Sequence, residues 1–187
     1  MIIEISEKKN IVLTINKNCY LKILTEKDIT KEYVSWLNDE EVIKYTDIRF
    51  SKQNTINIKN FVKNKFSSNS DFLFGIYFDE IHIGNIKIGE IKWHHKKGEI
   101  SFFIGNKSFW GQGIATLAVT KVLEFATIKL KLEKVTAGYY VINKASERVF
   151  KKCGFKVEGK KINDAVFNGK RIDVVIVGYN KEKINKL

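Results

Sequence analysis

The chain has 187 residues, a length suited to one domain with a sizeable core, taken here as residues 1–187. Hydrophobic residues make up 44% and charged residues 29%, which excludes a disordered chain, and no apolar run is long enough to cross a bilayer, so no membrane partner is expected. The formal net charge is +12, but of the 33 basic residues only Arg49, Arg148 and Arg171 are arginines, and the lysines are spread rather than clustered.

Together with abundant isoleucine and asparagine and no proline, that balance fits A/T-rich codon usage better than a nucleic-acid interface, which would lean on arginine. The opening "MIIEISEKKN" has an early acidic residue and no long apolar core, so no signal peptide is expected. Cys19 and Cys153 form neither a disulfide framework nor a metal pattern, which points to a reducing, cytoplasmic setting.

In chain order, "NCYLKIL" (Asn18 to Leu24) alternates as a strand. A helix is expected next, with Thr25 as N-cap, Asp28 completing a capping box, and Ile29, Tyr33, Trp36 and Leu37 on one apolar face. A second helix follows, capped by Ser51, with Ile58, Phe61, Val62 and Phe66 in register, and Trp36 and Phe61 are expected in the core. "FLFGIYF" and "IHIGNIKIGEIKW" read as a hairpin, with His82 on the strand surface, and "EISFFIG" (Glu99 to Gly105) as another strand. Ile114, Leu117, Ala118, Val122 and Phe125 then mark a helix. "KVTAGYYV" is a strand, "NKASERVFKKCGF" a short helix ended by Gly154, and "KVEGKKI" and "KRIDVVIVGY" a hairpin turning at Asn168 and Gly169. This order predicts an α/β (α+β) fold with a mixed, mostly antiparallel sheet.

After the strand Glu99 to Gly105, "FWGQGIATLAV" leads into the next helix. Glycines at 111 and 113 before a helix N-terminus can make an anion site, because first-turn N–H groups lack intrahelical partners and the missing side chains let a phosphate approach. A bare tight turn is an equal alternative at this point. No Gly-Lys-Ser/Thr follows, and no third glycine completes G-x-G-x-x-G, so a nucleoside triphosphate and a nicotinamide cofactor are disfavoured while a pyrophosphate ligand stays open.

"IGNKSFWGQGIATLAV" resembles the acetyl-coenzyme A loop of the GNAT superfamily of N-acetyltransferases, with Trp110 where an arginine or glutamine usually stands. "NKASERVFKKCGF" resembles that family's asparagine-containing helix, while "RIDVVIVG" and "WLNDEEV" are similar to segments of the RimJ/RimL-like branch. The resemblance runs from about Tyr20 to Tyr179. It implies the GNAT fold, a sheet splayed into a V with helices on both faces, and acetyl-CoA as co-substrate. The pyrophosphate would lie on the N–H groups of Gly111, Gln112, Gly113, Ile114 and Ala115 beside Trp110. The pantetheine arm would pair with Phe103, Ile104 and Gly105, and Asn143 and Ser146 would lie near the reactive end.

Acetyl transfer to an amine needs a base, a donor for the thioester oxygen and a proton or hydrogen bond for the leaving thiolate. Many relatives place a tyrosine where this chain has Phe150, so Ser146 is the nearest hydroxyl for the last role, unless it only bonds its own helix. Glu99 is the first candidate base, with Glu90 and His94 as alternatives, ordered water as another and a solvent-facing carboxylate as the plain reading of Glu99. His94 and His95 are adjacent, point to opposite faces and have no evident third ligand, so no metal is expected. For the acceptor, "NDEE" (Asn38 to Glu41) and Asp173 could draw a cationic amine, or form a solvated face or internal ion pairs, and Arg49 could hold an anionic one.

The expectation is an acetyl-CoA-dependent N-acetyltransferase acting by direct attack in a ternary complex. The acceptor is a small amine, such as a nucleotide-linked amino sugar; the alternatives are a protein N-terminus or a non-catalytic acyl-CoA sensor. Expected partners are a small-molecule or peptide amine, with a homodimer admitted and no nucleic acid.

Overall fold

The computed structural model describes residues 5–181. Its strands are β1 (Val12–Thr14), β2 (Cys19–Ile23), β3 (Phe72–Phe78), β4 (Ile81–Lys92), β5 (Lys97–Ile104), β6 (Lys134–Tyr140), β7 (Lys156–Phe167) and β8 (Lys170–Asn180). They form one sheet in the order β1-β2-β3-β4-β5-β6-β8-β7, antiparallel throughout except between β5 and β6. The helices are α1 (Ile5–Lys8), α2 (Lys31–Trp36), α3 (Glu40–Ile43), α4 (Thr55–Ser67), α5 (Ile114–Glu124) and α6 (Lys144–Lys152).

Strand alternation puts one apolar set on each face of the sheet. On β3, Phe72, Phe74 and Ile76 join the larger core with Ala118 and Val122 of α5 and Phe150 of α6. Leu73, between them, joins Tyr33 and Trp36 of α2 and Ile58 and Val62 of α4 on the other face. Helices on both faces of a mixed sheet are what the sequence predicted.

The boundaries differ where tertiary contacts outweigh local signals. The box at Thr25 exists, with its N–H on Asp28 Oδ2 at 2.7 Å, but it closes only the 3-10 turn Glu26–Asp28. Asp28 Oδ1 is held by Lys22 of β2 at 2.7 Å, Ile29 is extended, and the helix starts afresh behind Thr30, whose Oγ1 accepts from Tyr33 N. The second helix is capped by Asn54 rather than Ser51. Phe61 is 46% exposed, not core, because the buried stripe of α4 runs through Ile58 and Val62 and Phe61 falls beside it. Leu117 is likewise exposed on α5. His82 is not a surface histidine. Its ring stacks on Tyr77 at 5.0 Å, meets the edges of Tyr33 and Trp36, and its Nε2 bonds Asn85 Oδ1 at 2.8 Å. β5 begins at Lys97, two residues before Glu99, and β7 continues to Phe167 through two register shifts.

Two early elements carried no sequence signal strong enough to predict them. β1 pairs with β2, and α1 sends Lys8 into the end of α4. Its ammonium donates to the carbonyls of Lys65, Phe66, Ser68 and Asp71 at 2.6–2.9 Å, while burial pulls its pKa down to about 8. Those are carbonyls that a helix C-terminus leaves without partners. Cys19 and Cys153 are both free and buried. Among the described residues no helix is long and apolar enough to cross a membrane.

The end of β5 is fixed by a close approach. A Cβ on Gly105 would lie 2.2 Å from Cδ2 of Trp36, so the indole of α2 occupies the space of the absent side chain. Gly105→Ala is expected to cost about 2 kcal/mol by overpacking, lowering the midpoint of thermal unfolding by about 4–8 °C. A midpoint within 1 °C of the wild type would show that the ring yields freely.

Candidate active site

β5 and β6 pair in parallel only over Lys97–Glu99 and Lys134–Thr136, then part. Beyond that point β5 stays bonded to β4 and β6 to β8, leaving a wedge-shaped split. Phe150 of α6 sits at its base, 5.5 Å from the ring of Phe102 on β5 and 6.1 Å from that of Tyr139 on β6. Phe150 is 3% exposed and also meets Phe155, so it is a dry aromatic spacer.

A sheet that parts leaves backbone groups without partners. Gly105 N donates to Ile83 O at 2.8 Å. By antiparallel alternation, Phe103 and Gly105 therefore bond toward β4, while Phe102 and Ile104 turn their peptide groups to the split. Of the three residues expected to pair with an extended ligand, Ile104 turns its peptide groups to the split with Phe102, while Phe103 turns its own to β4 but still lines the first cavity. The Ile104 carbonyl is already taken by the indole N–H of Trp110 at 2.8 Å. Trp110 thus fastens the glycine loop to β5.

That loop runs through a 3-10 turn, Lys107–Phe109, capped by Asn106, into α5. Gly111 and Gly113 have φ of +75° and +79°, values that glycine adopts without strain. Gly113 is the N-cap of α5 and supplies no side-chain acceptor; the first helical bond is Leu117 N to Gly113 O. The N–H groups of Ile114, Ala115 and Thr116 are consequently open at the positive end of an 11-residue helix. No Cβ contact within 4 Å would exist at either glycine, so the space in front of the loop is clear. Gln112 instead bends back, its Nε2 on Ser108 O at 2.7 Å.

Two cavities meet at the split. One, of about 740 Å³, lies on the α5/α6 face and is lined by Phe102, Ile104, Trp110, Gly111, Gly113, Ile114 and Ala115, with Asn143 and Ser146 of α6 opposite. The second, of about 790 Å³, lies on the other face, with Glu99, Thr136, Val174 and Ile176 on its walls. Tyr45, Asp47, Gly138, Tyr139 and Tyr140 line both, which places them where the cavities join. Asn143 caps α6, its Oδ1 accepting Ser146 N at 3.1 Å. The Ser146 hydroxyl has no hydrogen-bond partner among the described residues. Tyr139 is 8% exposed, and burial, then Glu147, pushes its phenol up.

Glu99 opens into the second cavity without a hydrogen bond among the described residues. Desolvation pushes its carboxyl above the usual carboxylate range and the charge of Glu90 adds to that, while Lys87, Lys97 and Lys161 oppose it. Glu90 itself sits at a bulge of β4 with φ +51° and lines neither cavity. It acts on the site only through its field.

The remaining acceptor candidates do other work. Asn38 bridges Val34 O and both backbone groups of Gln53. His94 is exposed in a 3-10 turn, Trp93–His95, away from both cavities. Arg49 borders the second cavity, but its guanidinium donates to the carbonyls of Lys44, Thr46 and Val166 and to the Tyr140 hydroxyl. Asp39 and Glu41 pair with Lys107, and Asp173 accepts Asn163 N. Among the described residues no cluster of three or more metal-ligating side chains occurs. Tyr45, Asp47, Tyr139 and Tyr140 are what sequence reasoning missed. "YTD" and "GYY" carry no spacing that pairs them.

Residues 19–156 match the family described as acetyltransferase (GNAT) domain. The chain is 33% identical over 101 residues to the putative ribosomal N-acetyltransferase YdaF of Bacillus subtilis (strain 168), covering 54% of this chain and 55% of that protein. Its fold superposes on RimL, a ribosomal L7/L12 alpha-N-protein acetyltransferase in complex with coenzyme A, with a TM-score of 0.83 at 15% identity, covering 91% of this chain and 98% of that one. It also superposes on spermidine N-acetyltransferase from Vibrio cholerae in complex with CoA and spermine, with a TM-score of 0.78 at 20% identity, covering 88% and 96%. These structural likenesses establish the fold. The chain spans about half the length of the curated relatives it matches.

The electrostatics around Glu99 are open to direct measurement by carbon-detected NMR titration. Its carboxyl is expected to titrate above an ordinary glutamate. Glu90→Gln removes a negative neighbour and lowers that midpoint; Lys161→Met removes a positive one and raises it. A midpoint insensitive to both would mean that solvent screens the site.

Proposed function

The chain belongs to the GNAT acetyltransferase-domain family, and from that premise we propose that it transfers an acetyl group from acetyl-CoA to a primary amine in a ternary complex. The observation that carries this reading is the pair of cavities on opposite faces of the sheet, joined at the β5–β6 split and ending on one side at an uncapped helix. Two substrates can enter from opposite faces and meet at one point.

The donor fits the first cavity by its chemistry. Its pyrophosphate would lie on the N–H groups from Gly111 to Ala115. Its amide-bearing arm would pair with the Phe102 and Ile104 peptide groups that face the split, as an added strand does. Acetyl-CoA supplies an activated acyl group. The chain's contribution is positioning and charge: an N–H of β5 facing the split takes the charge that develops on the thioester oxygen. As the amine nitrogen bonds to the acetyl carbon and the carbon–sulfur bond breaks, the amine proton passes to Glu99, directly or through water. The Ser146 hydroxyl hydrogen-bonds the departing thiolate. Phe150 has no proton to give.

For the acceptor we favour a small amine that arrives as a cation. The anionic alternative depended on Arg49, and its donors are committed to four protein oxygens. The relatives described above divide between a protein N-terminus and a polyamine. A protein N-terminus is the second reading, and a non-catalytic acyl-CoA sensor, suggested by Phe150, is the third.

Thiol release from acetyl-CoA across a panel of primary amines tests this reading. Tight coenzyme A binding with no amine-stimulated release would point to the sensor. Gly113→Asp sets bulk and negative charge before α5 and is expected to weaken coenzyme A binding by about 100-fold or more with the fold retained; unchanged affinity would sink the assignment. Glu99→Gln is expected to lower kcat by about 100-fold. In the wild type, activity falls as pH drops through the Glu99 pKa, so the acid limb lies above the range of an ordinary carboxylate. Loss of that limb in Glu99→Gln supports the base, whereas its persistence assigns it to another group. Ser146→Ala is expected to lower kcat and leave coenzyme A affinity unchanged.

A further inference from the structure

Among the described carboxylates that line the two cavities, Asp47 is the one that borders both. Glu158 pairs with Lys134, Asp164 lies 3.7 Å from Lys161, and Asp39 and Glu41 share Lys107. Asp47 forms no ion pair among the described residues. Its single partner is the Tyr140 hydroxyl, which donates to Asp47 Oδ1 at 2.9 Å. That hydroxyl in turn accepts from Arg49 at 3.2 Å. Arg49 is anchored at its other nitrogen to Val166 O at 2.6 Å, and its guanidinium lies 5.1 Å from the Tyr140 ring centroid.

The result is a relay across three elements. The turn that carries Asp47 and Arg49 (Asp47–Phe50) is tied to β6 through Tyr140 and to β7 through Val166. A cation sits behind the phenol and a carboxylate in front of it, so the second oxygen of Asp47 is left for a ligand in the joined cavity. Tyr45 borders the same place and meets Phe167 at 5.6 Å.

We infer that Asp47 is the specificity-determining residue that receives the ammonium of the incoming acceptor, and that Arg49 acts through Tyr140 to hold it there. This rests on the amine-acetylation reading above and adds to it a division of labour. Asp47 binds the cation at the junction, and Glu99, on the wall of the second cavity, takes the proton when the amine reacts. A carboxylate needed for binding should differ from one needed for proton transfer in which kinetic constant it controls.

The closing experiment uses equilibrium binding of n-butylamine and 1,4-diaminobutane to the coenzyme A complex, alongside steady-state kinetics with acetyl-CoA. Asp47→Asn is expected to weaken amine binding and raise the amine KM by about tenfold, with the acetyl-CoA KM unchanged and kcat within about twofold. Asp47→Glu should recover part of the loss. Tyr140→Phe should move the amine KM in the same direction by less, and the double variant should be no worse than Asp47→Asn alone. Additive losses would overturn the relay. Equal amine binding by wild type and Asp47→Asn, binding by neither, or an acetyl-CoA KM that rises in step would overturn the assignment of Asp47. If the wild type binds the amines through Asp47 but releases no thiol, acetyl transfer fails while the amine site stands.

Discussion

The parting of β5 and β6 after three parallel pairs is the constraint on which the rest of the site depends. A continuous ladder would bond every peptide group and close the sheet, leaving no passage between its faces. Once the strands separate, Phe102 and Ile104 carry peptide groups with no strand to receive them, and Gly138 opens the opposite wall. Unmet backbone groups in a part-buried place are costly unless water or a ligand takes them. The split is held by packing: Phe150 stands between Phe102 and Tyr139, and the glycine loop is fastened to β5 by the Trp110 indole. The same loop delivers the open N-terminus of α5 to the mouth of the split, in line with the unpaired edge of β5.

Charge is distributed to suit that geometry despite the chain's excess of lysine. Several of the cations bordering the two cavities are engaged in the fold: Lys144 on Glu147, Lys161 near Asp164, Arg49 on backbone oxygens. Exposed pairs of this kind contribute little to stability. Their larger effect is on what they leave over, which is Asp47 and Glu99 facing one joined space. Desolvation of Glu99, with the charge of Glu90 added, raises its proton affinity above that of an ordinary carboxylate. Two carboxylates thus face the joined space in a chain whose net charge is +12.

The strands and the glycine loop were legible in the sequence because each depends on neighbours within a few positions. Gly113 could be placed at the start of α5. Alternation separated the two faces of β5 and β6, but could not say that Phe102 rather than Phe103 turns its peptide to the split, since that depends on which strand bonds Gly105. The acceptor side was the least legible. Arg49 reads as a free cation until Val166, 117 positions later, takes its guanidinium. Asp47 reads as one more surface acid until Tyr140, 93 positions away, fixes it. The helix boundaries failed for a related reason: the capping box at Thr25 is real, but Lys22 on a neighbouring strand holds Asp28 and the chain turns away.

Phe150, the departure from the family pattern, has a physical account in the same geometry. The residue at that place must hold two strands apart, and it does so with ring contacts to Phe102, Tyr139 and Phe155 while almost wholly out of water. A phenol in that setting would need a partner for its hydroxyl whenever the cleft held no ligand, or would draw water between rings whose packing keeps the split open. Phenylalanine avoids that cost and makes the spacer purely apolar. The nearest hydroxyl lies a turn away, where Ser146 borders the same cavity from the first turn of α6 and Asn143 caps the helix that carries it. A ring that spaces the strands and a hydroxyl that faces the cavity, which one tyrosine could combine, stand here on two residues four positions apart on one helix.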